Sequence, residues 1–131
     1  MAANFVLKSS GPELKVDLFG VLTAQAVREV LSAITPKLSG VSACIINTMG
    51  VNDCLEEARA ELVRLQQAVA ARVRRTAWVD DRARFRGVAL WVMHLAGDPN
   101  AKAVANADQA AKWLASNELR EAAAERRTVG A

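Results

Sequence analysis

The sequence predicts a single α/β domain in which four helices pack on a mixed, mostly parallel sheet of five strands. Three observations carry this. Short apolar or alternating runs are interleaved with longer stretches whose apolar residues recur at helical spacing. Only the first two runs are joined by a turn short enough for a hairpin, so the later strands need crossovers and run parallel. The 131 residues suit one core, and no internal repeat or long linker divides them.

Phe5 to Lys8 and Leu14 to Phe19 are separated by Ser9-Ser10-Gly11-Pro12, a cluster of turn formers, and read as a hairpin. Thr23 is placed to cap a helix from Ala24 to about Leu38. Val27, Val30, Leu31, Ile34 and Leu38 line one side of it, and Pro36 distorts its last turn. Val41 to Asn47 is a nearly continuous apolar run bounded by Gly40 and Gly50, the pattern of a central strand covered on both faces.

Asp53 and Glu56 have capping-box spacing, and Leu55, Ala58, Leu62, Leu65, Val69 and Val73 then hold one face of the longest helix. Thr76 to Val79 reads as a short strand closed by Asp80 and Asp81, with Asp81 expected to cap the helix that follows. That third helix carries Phe85, Val88, Ala89, Val92, Met93 and Ala96 and stops at Gly97-Asp98-Pro99. Lys102 to Ala105 is the last strand, and Asn106 with Gln109 caps a fourth helix containing Ala110, Ala111, Trp113 and Leu114. The order is β-β-α-β-α-β-α-β-α over residues 1–116. Residues 117–131 have good helix propensity and few apolar anchors, so they are expected to extend or fray from the fourth helix.

Composition narrows the function classes. With 52% hydrophobic residues but only 5% aromatic and no Tyr, the core must be filled by Ala, Val and Leu, with three Trp as large exceptions. No long apolar run follows Lys8, so neither a secretory signal nor a transmembrane segment is expected, and the expected location is cytoplasmic. Cys44 and Cys54 have no partner His or Cys at metal spacing, which predicts neither a zinc site nor a disulfide. A net charge of +3 is too small to imply nucleic acid. Arg72, Arg74, Arg75, Arg82, Arg84 and Arg86 flank the fourth strand with Trp78 among them, but Asp80 and Asp81 interrupt them and helix ends attract cations.

No residue set predicts catalysis. His94 is the only histidine, no phosphate loop or dinucleotide fingerprint is present, and neither a cofactor nor a metal is expected. Cys54, near the start of a helix, has two readings: a thiol activated by the helix dipole, or a small residue partly buried in the first turn. Trp91, Met93 and Trp113 fill the core or line an apolar pocket beneath the third and fourth helices, the pocket of a carrier for a lipid-like molecule.

The element order, the step Phe19-Gly20-Val21-Leu22-Thr23, the segment Phe85-Arg86-Gly87-Val88-Ala89 and the ending Ala107-Asp108-Gln109-Ala110-Ala111-Lys112-Trp113-Leu114 resemble the SpoIIAA-like, STAS-related family, to about Ser116. The resemblance implies a small non-catalytic regulatory module that binds partner proteins, nucleotides or apolar molecules. Anti-sigma-factor antagonists of that family carry a phosphorylatable serine in Asp-Ser-x-Gly after the central strand. This chain has Asn52-Asp53-Cys54-Leu55 there, which puts Cys54 at the phosphoserine position and leaves Thr48 as the nearby hydroxyl.

The leading expectation is therefore a non-enzymatic interaction module, monomeric or homodimeric. Its contact surface is the turn holding Thr48, Met49, Gly50, Asn52, Asp53 and Cys54, at the edge where the strands end and loops gather. A carrier of an apolar small molecule is the alternative.

Overall fold

The computed structural model describes residues 4–116, so the expected extension over 117–131 lies outside the described residues. β1 (Phe5–Ser10) and β2 (Glu13–Leu22) form the predicted hairpin, pairing antiparallel from Phe5 with Leu18 to Ser10 with Glu13. Gly11 in its turn has φ 56°, a conformation that only glycine adopts without strain. There follow α1 (Ala24–Ile34), β3 (Ala43–Cys54), α2 (Glu56–Ala70), β4 (Arg75–Val79), α3 (Ala83–Ala96), β5 (Ala101–Val104) and α4 (Ala107–Ala115). The strands lie side by side in chain order, β1-β2-β3-β4-β5, and every pair after the hairpin is parallel.

The caps explain most of the helix boundaries. Thr23 Oγ1 accepts from the Ala26 N–H at 3.0 Å, and Asn106 Oδ1 accepts from the Gln109 N–H at 2.9 Å. α1 stops at Ile34 rather than Leu38, because Pro36 lacks a backbone donor and the chain tightens into a 3-10 turn, Thr35–Lys37. α3 ends on Gly97, whose φ of 68° closes the helix in the left-handed conformation.

Two predicted caps do not form. Asp53 is still within β3, and its Oδ1 accepts from the neighbouring Cys54 N–H at 2.9 Å, so α2 starts from Leu55 without a side-chain cap. Asp81 does not cap α3 either. α3 starts from Arg82 without a side-chain cap, and Asp80 instead closes the preceding turn by accepting from the Arg82 N–H at 2.9 Å.

The strand pleat divides the core into two layers. Leu14, Val16, Leu18, Cys44, Ile46 and Trp78 face α1, α2 and α3, and form the main core with Val27, Val30, Leu62, Leu65 and Val92. Their alternates Ala77, Val79 and Val104 face the other way, onto Ala110 and Trp113 of α4. The succession of right-handed crossovers in one spatial direction puts three helices on one face, and α4, which ends the described chain, closes part of the other. Among the described residues β4 and β5 are covered there, and the edge of α4 reaches Ile45 of β3. β3 is therefore central but not sealed on both sides as its apolar run predicts: Cys44 and Ile46 are buried, while Ile45 and Asn47 are half-buried on the open side.

Candidate functional site

β3 continues through the segment predicted to be a turn. After Asn47 pairs with Val79, β4 ends, yet β3 runs on to Cys54 along β2, pairing Phe19 with Gly50 and Leu22 with Cys54. Register shifts at Asp17/Phe19 and Gly20/Val21 accommodate the extra residues, and Gly20 takes φ 72° at the second. The six residues Thr48, Met49, Gly50, Asn52, Asp53 and Cys54 are thus strand, not loop.

Extending a strand past its neighbour leaves backbone carbonyls without ladder partners on that edge. Arg82 supplies the missing donors: Nη2 donates to Thr48 O and Nη1 to Val51 O, both at 2.8 Å. The same guanidinium donates from Nε and Nη2 to the two oxygens of Asp80, each at 2.9 Å, and stacks over Phe85 at 3.9 Å. Thr48 Oγ1 completes the cluster by donating to Asp80 Oδ2 at 2.8 Å, and Arg86 Nη1 donates to Asp80 O at 2.9 Å. Burial of Asp80 opposes its ionisation and is the largest single influence on it. The hydrogen bonds from Arg82 and Thr48 together outweigh that cost and hold its carboxyl below the ordinary value.

This cluster answers the question posed by the arginines. Arg82 and Arg86 bind the end of β4, and Trp78 is buried, its indole N–H donating to Gln66 Oε1 at 2.7 Å. Arg75 is buried on the opposite side of the sheet, stacked on Trp113 at 4.3 Å. The basic and aromatic residues therefore do not form one surface.

The individual site residues play unlike parts. Thr48 is buried with its hydroxyl engaged by Asp80. Gly50 has no positive φ; it is small because the Phe19 ring lies across it. Asp53 Oδ1 accepts from Arg84 Nη2 at 3.2 Å, half-exposed, and Asn52 faces solvent. Cys54 is buried, and desolvation, its largest influence, raises the thiol above its ordinary value against the opposing pull of Arg59 and Arg84. Burial thus works against the thiolate reading of Cys54.

Met49 stands out from its neighbours. It is 44% exposed on the open sheet face, with Phe19 at 41% and Val21 at 43% on adjacent β2. Sequence reasoning missed Phe19 and Val21 because alternation inside a strand does not reveal which face a later helix leaves uncovered. On the same face Asp17 accepts from Asn47 Nδ2 at 3.0 Å and is flanked by Lys8 and Lys15 at 3.6 and 3.8 Å.

Trp91 and Trp113 do not share a pocket. α3 and α4 pack on opposite faces of the sheet, so Trp91 is exposed on one side, Met93 is buried beneath it, and Trp113 lies on the other, its indole N–H donating to Thr76 O at 3.0 Å. Trp113 lines a surface hollow with Lys102 and Lys112, and a more apolar crevice of about 300 Å3 lies between α4 and the open face, with Ile45, Val79, Ala110 and Met49 in its lining and Glu13 and Lys15 at its edge.

No family model matches the chain and no curated protein does. Solved structures do. SpoIIAA, described as an anti-sigma factor antagonist in its unphosphorylated form, is 16% identical with a TM-score of 0.60 over 82% of this chain and 93% of its own. This chain has the SpoIIAA-like fold. An uncharacterized Shewanella loihica PV-4 protein of the DUF3478 family, also SpoIIAA-like, is 15% identical with a TM-score of 0.63 over 84% of this chain and 91% of its own. The phosphorylated form of SpoIIAA, a Bacillus cell fate determinant, is 17% identical with a TM-score of 0.58 over 82% of this chain and 96% of its own. At these identities the likeness speaks for the SpoIIAA-like architecture, and function has to be argued from the site. No helix among the described residues is long and apolar enough to cross a membrane.

Proposed function

We propose that this chain is a non-enzymatic, cytoplasmic interaction module that binds another protein through the open end of its sheet. The observation that carries this reading is the apolar set of Phe19, Val21 and Met49, each more than two fifths exposed on strands that are themselves held in place. Asn52 and Asp53 provide its polar rim, whereas Thr48, Gly50 and Cys54 support it from behind. An exposed apolar patch rimmed by polar groups on a preorganised backbone is the arrangement a protein partner uses, because little ordering entropy remains to be lost.

SpoIIAA exists in phosphorylated and unphosphorylated forms. In this chain the nearest hydroxyl, Thr48, is bound to Asp80, and Cys54 stands at the position that resembles the phosphoserine. The interaction is accordingly proposed to run without a serine-phosphate switch.

The test is affinity purification from the native cells of the wild-type chain and of a Phe19→Asp/Met49→Asp variant, each analysed by native mass spectrometry. A protein partner held by the wild type and lost by the equally folded variant is the expected result. Partners retained by both would remove this surface from consideration.

A second reading rests on the crevice of about 300 Å3 beside α4, whose apolar floor fits a small lipid-like molecule better than the separated Trp91, Met93 and Trp113 do. In the same spectrum it predicts a monomer carrying a few hundred daltons of extra mass, on the order expected of a pocket ligand. A doubled subunit mass would instead identify a homodimer.

A further inference from the structure

The face of α3 turned away from the sheet is largely apolar, and no other described residue covers it. Leu90 is 58% exposed, Trp91 43% and Leu95 50%, and together with Gly87 and His94 they fall on one side of the helix at 100° per residue. Trp91 forms a wall of a hollow of about 310 Å3 between α2 and α3, lined by Arg59, Arg84, Gly87 and Val88. The exposed face and the hollow form one continuous surface.

Two features of the hollow have no explanation among the described residues. Gly87 sits in the interior of α3, where glycine is the poorest helix former after proline, yet a Cβ built there meets nothing within 4 Å. Neither sterics nor φ asks for glycine, whereas close approach of something from outside does. Arg59 Nε is buried and finds no hydrogen-bond acceptor among the described residues, although a buried guanidinium N–H normally has one. Arg84, beside it, is mostly exposed, pairs with the half-exposed Asp53 and lies over the edge of the Phe85 ring at 5.5 Å.

We propose that this groove docks an amphipathic helix of a partner protein that carries an acidic side chain beside its apolar stripe. The apolar residues of that helix would lie on Leu90, Trp91 and Leu95, one of them entering the hollow over Gly87, and its carboxylate would meet Arg59 and Arg84. A guanidinium pair at the rim of an exposed indole selects a carboxylate over an ammonium group by charge and by fork geometry. A second copy of this chain fits less well, because a twofold contact repeats the same patch, and Gly87, Leu90, Trp91, His94 and Leu95 bring no carboxylate to the two arginines. The proposal rests on the interaction-module reading but uses a different surface from the open sheet end.

The test is selection from a displayed library of helical peptides about 18 residues long, five turns, with apolar residues at i, i+3, i+4 and i+7 and either Glu or Lys flanking the stripe. Wild-type protein is expected to enrich the Glu peptides over the Lys peptides by about tenfold or more, and an Arg59→Glu/Arg84→Glu protein to reverse the preference. Trp91→Ala and Gly87→Leu are each expected to weaken the selected peptides by about tenfold or more, while Gly87→Ala raises the thermal midpoint and weakens them less. No enrichment, equal selection of Glu and Lys peptides, or an unchanged preference after charge reversal overturns the proposal. Selected peptides that ignore Trp91→Ala but are lost with Phe19→Asp/Met49→Asp would also overturn it, while leaving the sheet-end reading in place. Arg84, Gly87 and Trp91 are exposed and Arg59 is half-buried, and circular dichroism of each variant verifies that it folds.

Discussion

The ring of Phe19 occupies the space a side chain at position 50 would need: a Cβ on Gly50 would come within 2.6 Å of Phe19 Cδ1 and 3.0 Å of Leu18 O. The glycine is there for close approach between β2 and β3, in the stretch where their register shifts. Gly50→Ala is expected to destabilise the fold by about 1–3 kcal/mol, the usual cost of overpacking. Pairing it with Phe19→Ala is expected to recover part of that loss, read as a coupling energy in a double-mutant cycle by urea denaturation. Strict additivity of the two changes would show that the ring is not the obstacle.

Asp80 and Arg82 lock the end of the sheet. Arg82→Ala removes the donors to Thr48 O and Val51 O and leaves the buried Asp80 carboxylate without its cation, so a loss of about 2–4 kcal/mol is expected, measured by the same denaturation. Amide exchange in residues 48–53 is expected to accelerate more than exchange in β4.

The acid limb of stability follows from the same carboxylate. A folded-state value held below the unfolded one means that Asp80 adds stability above the ordinary carboxylate range, and that this stability is lost as pH falls through the depressed folded value. In a urea-midpoint series from neutral pH downward, Asp80→Asn is expected to be less stable at neutral pH and to show a shallower decline in acid. A variant with the full wild-type acid limb would assign that limb to other carboxylates.

Both thiols are expected to be slow. Burial, with a smaller contribution from Glu13, pushes Cys44 up to about 12, and Cys54 is raised in the same direction. Thiol titration of the native protein near neutral pH is expected to give almost no prompt reaction and two thiols in denaturant, with Cys54 reacting before Cys44. Immediate labelling of Cys54 in the native state would revive the activated-thiol reading.

Trp113 joins α4 to the sheet through its hydrogen bond to Thr76 O and the stacked Arg75. Trp113→Ala is expected to cost about 2–4 kcal/mol, somewhat below a fully buried Trp because the ring is only partly covered. Unchanged thermal stability would mean that α4 contributes nothing to the cooperative fold.

The sequence by itself determined the element order, the hairpin, the caps at Thr23 and Asn106 and the stop at Gly97, because each depends on a few neighbouring residues. Periodicity also named most of the main core, from Val27 and Val30 in α1 to Leu62 and Leu65 in α2. What required the tertiary structure were relationships between distant residues. The side of the sheet that α4 covers separates Trp91 from Trp113 and exposes Phe19, Val21 and Met49, and no local pattern encodes a helix's choice of face. Likewise the segment from Thr48 to Cys54 carries turn-forming residues, yet it is strand, because β2 pairs along it and Arg82, 34 residues after Thr48, supplies the hydrogen bonds that β4 is too short to give. Local propensity yields wherever a distant partner satisfies the backbone better than a turn would.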